Sequence, residues 1–242
     1  MIKTEKLTKH FGEKVAVDAL TLTVNEGEFF CFLGPNGAGK TTTIKMLTGL
    51  LQPSGGRAVL GGFNIQQQPV EAKRVIGYIP DSPFLYEKLT GNEFIRFVAG
   101  LYQMRDGQAA QRAEGLLRMF GIADVADQLI EDYSHGMRQK LSFVSCFLHE
   151  PRIVIVDEPW VGLDPKNIRF VKDFLRERTR EGTTVFMSTH TLSIAEEVAD
   201  RIGIINRGRL LHTGTVAEIR ALAKNPGTLE DVFLELTHEE TE

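Results

Sequence analysis

Residues 34–42 read Gly-Pro-Asn-Gly-Ala-Gly-Lys-Thr-Thr and fit the pattern G-x-x-x-x-G-K-[ST]. The spacing has a physical reason. A polyphosphate needs a ring of backbone N–H donors at close range, and side chains would obstruct them. Gly34, Gly37 and Gly39 let the backbone curl inward and present those donors, with Pro35, Asn36, Ala38 and Thr42 completing the cradle. Lys40 then reaches the β- and γ-phosphates, and the Thr41 hydroxyl can ligate Mg²⁺. A helix starting here aims its positive end, about half a charge, at the phosphates. The flanks agree. Phe29 to Leu33 is the continuous apolar run of a strand buried on both faces, and Thr43 to Leu51 sets Ile44, Leu47 and Leu51 on one helical face. Strand, glycine loop and helix in that order predict an α/β domain of the P-loop nucleotide-triphosphatase class.

A chain of 242 residues is long enough for a sizeable core. Its net charge of −4 argues against a general nucleic-acid binder. Cys31 and Cys146 both lie in apolar surroundings, which predicts buried free thiols rather than a disulfide or metal framework. The first residues carry no apolar core of signal-peptide length, and no stretch approaches the roughly 20 apolar residues of a membrane helix. A chain of this kind is expected not to span a bilayer, and can still dock on something that does.

The order of signals along the chain predicts one domain with an insertion. Residues 2 to 33 read as a β-rich lead-in, with Ala19 to Val24 alternating as a half-exposed strand. Phe11 precedes it; an aromatic there can stack on a nucleotide base, although a lone aromatic is more often a core residue. Pro53 to Gly56 is expected to end the first helix, Arg57 to Leu60 and Val75 to Ile79 to be strands, and Pro69 to Lys73 a short helix. From residue 86 to 150 helical signals take over. Thr90-Gly-Asn-Glu93 is a capping box, Gln108 to Phe120 a helix closed by Gly121, and Gln139 to Leu148 a third helix. Strands return at Arg152 to Val156 and Thr183 to Met187, with helices over Lys166 to Arg180 and Ser193 to Asp200. Arg201 to Asn206 and Arg209 to His212 form a hairpin, and Thr215 to Glu218 a second capping box. Ala223 to Gly227 reads as a linker to a last helix capped by Thr228. The expected division is an α/β core at 1–85 and 151–220, a helical subdomain at 86–150 and a helical tail at 221–242, with an antiparallel β part at the N-terminus and a mainly parallel sheet.

Three more segments carry chemistry. Asp157 and Glu158 close a buried strand, where parallel sheets place their ligands. One carboxylate can hold the Mg²⁺ shell, and the next can point the other way to orient or deprotonate a water. His190 also ends a strand and can donate to a γ-phosphate. In Tyr133-Ser-His-Gly-Met-Arg-Gln-Lys140, Ser134 and Gly136 open a helix and so make a second anion site. It lies in the helical insertion, far from the chain's own phosphate loop. Two copies head to tail about a two-fold axis would bring each such helix to the other copy's nucleotide.

Together these motifs resemble the ATP-binding subunit of an ABC transporter over essentially the whole chain. Residues 34 to 42 match Walker A, Ile153 to Asp157 with Glu158 match Walker B and its catalytic glutamate, and Ser134-His-Gly-Met137 stands where the signature belongs. Gly162-Leu-Asp-Pro165 matches the D-loop, His190 the switch histidine, and Phe11 the aromatic that stacks on adenine. The resemblance implies that ATP and Mg²⁺ are held between Walker A of one subunit and the signature of another, with Ser134, Gly136, Met137 and Asp164 contributing. That second subunit is a copy of the chain or a related ATPase. It also implies integral membrane permease subunits docking near Phe84, Leu85 and Tyr86, and a place on the cytoplasmic face of the cell membrane. Three residues depart from the family pattern. Asp81 replaces the usual Gln after Tyr-Ile-Pro and can ligate Mg²⁺ directly or weaken the link from nucleotide to docking. His135 replaces Gly and sets an imidazole near polyphosphate. Trp160 replaces a smaller residue, and the sequence offers no reason for a bulky ring there.

The tail Thr228 to Leu236 and the Tyr-Ser-x-Gly-Met-Arg form of the signature are similar to ABC-2-type exporters. The expected function is therefore an energy-coupling ATPase of an exporter. The competing reading is a soluble ABC-type ATPase acting on a non-membrane partner such as the ribosome. A regulatory nucleotide binder without turnover is disfavoured by the presence of Lys40, Asp157, Glu158 and His190, and a GTPase by the lack of Asn-Lys-x-Asp.

Overall fold

A computed structural model describes residues 1–160, 162–222 and 228–238. Two sheets and a shell of helices surround two apolar cores. The first sheet is antiparallel, in the order β2 (Lys14–Val24), β1 (Ile2–Phe11), β4 (Gly55–Leu60), β5 (Phe63–Asn64). The second runs β10 (Arg209–Gly214), β9 (Arg201–Asn206), β3 (Phe29–Leu33), β8 (Thr184–Thr189), β7 (Ile153–Asp157), β6 (Ile76–Ile79). It is parallel from β9 to β6, and only the β9–β10 hairpin is antiparallel.

The continuous apolar runs of β3, β7 and β8 are explained by burial on both faces. Phe30, Phe32, Ile153, Ile155 and Phe186 face the core under the antiparallel sheet and α1 (Lys40–Leu47). Phe29, Cys31, Leu33, Val154, Val156, Val185 and Met187 face the core under the helices of 91–147 and those after residue 165. Each fully buried side chain of this size contributes about 1.5–3 kcal/mol. A polar residue in these strands would therefore damage one core or the other. Cys31 and Cys146 are buried free thiols, and burial pushes both well above the ordinary thiol range.

The helical segment contains α3 (Gly91–Leu101), α4 (Asp106–Met119) and α5 (His135–Phe147). Both carboxyl–backbone and hydroxyl–backbone bonds of the Thr90/Glu93 box are formed, at 2.8 and 3.1 Å. Phe143, Val144 and Leu148 of α5 and its following turn join the same core as β3 and β7, so the segment shares its apolar interior with the sheet. The remaining helices are α2 (Pro69–Arg74), α6 (Pro165–Arg180), α7 (Leu192–Val198), α8 (Val216–Arg220) and α9 (Leu229–His238). Asp231 N–H donates to Thr228 Oγ1 at 3.3 Å, and Leu229 and Val232 seat α9 in the core. The expected linker at 223–227 lies outside the described residues. Among the described residues no helix is long and apolar enough to cross a membrane.

Most boundaries shift by a few residues, and the end of the first helix differs for a local reason. The first helix starts at Lys40 and stops at Leu47, not at residue 51 or the Pro53 turn. Gly49 takes φ 69°, and Leu50 N–H reaches back to Lys45 O at 2.8 Å, so the chain turns out of the helix two residues before Leu51.

Candidate active site

Four segments end at the same edge of the parallel sheet: loop 34–42 after β3, Asp81 after β6, Asp157 and Glu158 at β7, and His190 after β8. This is the edge at which open α/β sheets bind ligands.

The phosphate loop is braced from behind. Gly208, at the tip of the β9–β10 hairpin, donates its N–H to Ala38 O at 2.8 Å and accepts from Asp18 N–H at 2.9 Å. Gly39 caps α1 at φ 109°, where a Cβ would come within 2.6 Å of Ala16 O. The loop thus keeps its curl because β2 and the hairpin tip leave it no other course. Lys40 Nζ donates to Gly34 O at 2.7 Å and Pro35 O at 3.2 Å. Burial lowers its pKa, while the Glu158 and Asp157 charges act in the opposite direction. Asn36, Gly37 and Thr41 are exposed, Pro35 and Thr42 half-buried.

Asp157 and Glu158 diverge, as a strand end dictates. Asp157 is buried; Oδ1 accepts from the Ser188 hydroxyl, and Oδ2 has no hydrogen-bond partner. Burial raises its pKa, opposed by the Ser188 and Thr41 hydroxyls. An unsatisfied buried carboxylate oxygen beside a threonine hydroxyl fits a hard divalent cation, which is bound through oxygen ligands. Glu158 turns outward. Its φ of 44° is the left-handed region, which costs a residue with a Cβ about 1–2 kcal/mol. Its N–H donates to Ser188 O at 3.2 Å, Oε2 accepts from Thr189 Oγ1 at 3.2 Å, and Oε1 lies 2.8 Å from His190 Nδ1. The strained backbone is what carries this carboxylate across to the neighbouring strand end.

The other expected site residues are placed differently. Phe11 is 51% exposed rather than in a core, with the Lys9 ammonium 5.2 Å from its ring centre. It pairs with Lys14 at the end of the β1–β2 hairpin, close in sequence to the Ala16 carbonyl that abuts Gly39. Asp81 is exposed, accepts from Ser82 N–H at 2.8 Å, and raises Asp157 by like-charge repulsion. Among the described residues no three His, Cys, Asp or Glu side chains converge as a ready-made metal cage. Asp164 caps α6, accepting from Asn167 N at 2.8 Å and Asn167 Nδ2 at 2.6 Å; the backbone bond holds its carboxyl below the usual range.

Ser134 caps α5, accepting from Met137 N–H at 3.3 Å. This segment packs on Pro159 and Gly162 of its own chain. Gly136 abuts Gly162 O, and the His135 ring lies on Gly162. Trp160 is buried in the core beside it, and Gln139 Nε2 donates to Pro159 O at 3.3 Å. Neither the Glu158–His190 bond nor the His135–Gly162 contact was legible in the sequence, because each joins residues about 30 apart. On the surface of the helical segment Phe84 is 88% exposed, Tyr86 packs its edge on Phe97 at 5.3 Å, and Leu85 is half-buried.

The family profile described as ABC transporter matches residues 17–161. The chain belongs to the ABC transporter family. As an ABC cassette it is an ATP-binding ATPase. It is 34% identical over 219 residues to the linearmycin resistance ATP-binding protein LnrL of Bacillus subtilis, covering 90% of this chain and 70% of that protein. It is 34% identical over 243 residues to the probable multidrug ABC transporter ATP-binding protein YbhF of Escherichia coli, covering 99% of this chain but 42% of that protein. A solved ATP-binding subunit of an ABC transporter superposes with a TM-score of 0.92 at 33% identity, covering 98% of this cassette and 99% of that chain.

Proposed function

We propose that this cassette is the energy-coupling ATPase of an exporter. It would work as a pair, either two copies or one copy with a related subunit, on the cytoplasmic face of the membrane. The observation that carries the reading is the divergence of the two strand-end carboxylates, one buried with a free oxygen beside Thr41 and one held by His190. In this reading Lys40 leaves the Gly34 and Pro35 carbonyls for the β- and γ-phosphates, and the N–H groups of residues 36–42 surround the polyphosphate. Thr41 and Asp157 would hold Mg²⁺, which when bound supplies charge neutralisation of the phosphate oxygens. Glu158 takes the proton of the attacking water, and the His190 Nδ1–H holds that carboxylate in line. Phe11 lies against the adenine. Ser134, Gly136 and Met137, at the start of α5, face the partner's nucleotide, with Asp164 at the same seam.

Phe84 and Tyr86 would form the surface that meets the permease, an exposed aromatic pair of the kind such contacts use. The drug-resistance and multidrug names of LnrL and YbhF support the exporter reading. The experiment is the solution mass of Glu158→Gln with and without Mg-ATP, together with the ATPase rate of the wild type. A monomer-to-dimer shift and wild-type turnover are expected. A wild type that binds ATP without turning it over would overturn the reading.

A further inference from the structure

One stripe of α5 lies along the segment that follows Glu158. Residues 135, 136, 139 and 140 recur at helical spacing on one face. A Cβ built on Gly162 would overlap His135 Cδ2 and come within 2.7 Å of Nε2, so the imidazole occupies the space that any other residue at 162 would need. Gly162 sits at φ 78°, and a Cβ on Gly136 would stand 3.2 Å from Gly162 O. Gln139, fully buried, donates to Pro159 O at 3.3 Å. The Lys140 charge helps hold the Asp164 carboxyl low. Two packing contacts on Gly162 and one hydrogen bond to Pro159 therefore fasten this stretch to the start of α5, with the Lys140 charge acting on Asp164. That segment begins one residue after Glu158, whose own backbone is strained.

We propose that His135 is a positioning residue: its ring is a wedge against Gly162 that, together with the Gln139 bond to Pro159, fixes the Glu158 backbone. The proposal rests on the assignment of Glu158 as base. It departs from the expectation of an imidazole set near polyphosphate, because here the flat ring against Gly162 is the working part.

The test is a double-mutant cycle on the full chain, read by ATPase rate and by acrylamide quenching of Trp160, the single tryptophan and a reporter within the segment. His135→Gly is expected to lower kcat about tenfold and to raise Trp160 quenching. ATP affinity of the chain's own phosphate loop is expected to stay within twofold. His135→Phe, flat and uncharged, is expected to stay within threefold of wild type in kcat. Gly162→Ala alone is expected to lose more than tenfold through the overlap, and Gly162→Ala combined with His135→Gly to regain most of that loss. Additive losses in the double variant, or a His135→Phe as impaired as His135→Gly, would overturn the proposal. If the wild type itself does not turn over ATP, the base assignment fails first; the quenching arm then still decides whether the wedge holds the segment.

Discussion

Glu158 Oε1 and His190 Nδ1 stand 2.8 Å apart, across the adjacent ends of β7 and β8. The pair exists because Glu158 leaves its strand with φ 44° while Asp157, one residue earlier, stays buried in the sheet. A single strained residue thus separates two carboxylates into two environments, which is how two adjacent acids take different tasks.

The first prediction concerns that pair. Glu158→Gln keeps the shape and the Thr189 contact but removes the base, so ATP binding is retained and turnover falls about 10²–10⁴-fold. His190→Ala leaves the base in place but unheld, so kcat falls further than KM changes. Steady-state ATPase assays on both variants check it, and near-normal turnover of Glu158→Gln would remove the residue from the role.

The second concerns Asp157. Burial raises its pKa, so the charged form is disfavoured in the folded state and its ionisation works against folding above the ordinary carboxylate pKa. Asp157→Asn removes that charge and keeps the Ser188 contact. The nucleotide-free Tm is then expected to rise, by about 2–4 °C for each kcal/mol recovered. The stabilisation that Mg-ATP confers on the wild type, and that EDTA abolishes, is expected to vanish. Thermal denaturation with ATP, with Mg-ATP and with EDTA measures both effects. An unchanged Mg²⁺ response would separate Asp157 from the metal.

A third follows from Phe84, which at 88% exposure contributes almost nothing to the core of the isolated chain. Phe84→Asp is expected to leave Tm within a degree and to weaken association with the membrane partner about tenfold or more, as for a buried aromatic anchor. Co-purification with the permease, alongside the melting curve, checks it. Undiminished association would move the docking surface elsewhere.

Much of this arrangement was legible in the sequence because it is local. Both capping boxes and the Ser134 cap depend on residues within a few positions of one another, and all take the expected form. The double burial of β3 was readable from five unbroken apolar residues. α1 ends before the expected turn at Pro53 because the left-handed turn at Gly49, a weaker punctuation mark in the sequence, comes first. Trp160 has no local reason for its size; the structure supplies one, since the buried ring joins the core against which Leu163 packs. The exposure of Phe11 and the wedge of His135 are set by strands and helices distant in sequence, which no spacing rule encodes.

The fourth prediction tests the seam between the helical segment and the sheet. His149 stacks on Tyr102 with ring centres 3.6 Å apart, and its Nε2 lies 3.1 Å from Ile76 O. A carbonyl only accepts, so Nε2 carries the proton and Nδ1, which is buried without a partner, is the bare nitrogen. Protonating the ring would place a charge and an unpaired N–H in that apolar seam, and burial accordingly depresses its pKa to about 4. With the unfolded-state value near 6.5, the unfolded chain binds the proton first as pH falls. Above pH 6.5 the group is neutral in both states and changes nothing. Between pH 6.5 and 4 stability declines, reaching a loss of about 3 kcal/mol once the pH is below both values. His149→Phe keeps the stack on Tyr102 without the titration, at the cost of the Ile76 bond. Its Tm is therefore expected to lie below wild type at pH 7.5, and the gap to narrow or reverse by pH 4.5. Melting curves across that range decide it: parallel pH profiles for the two proteins would place the acid sensitivity in other groups.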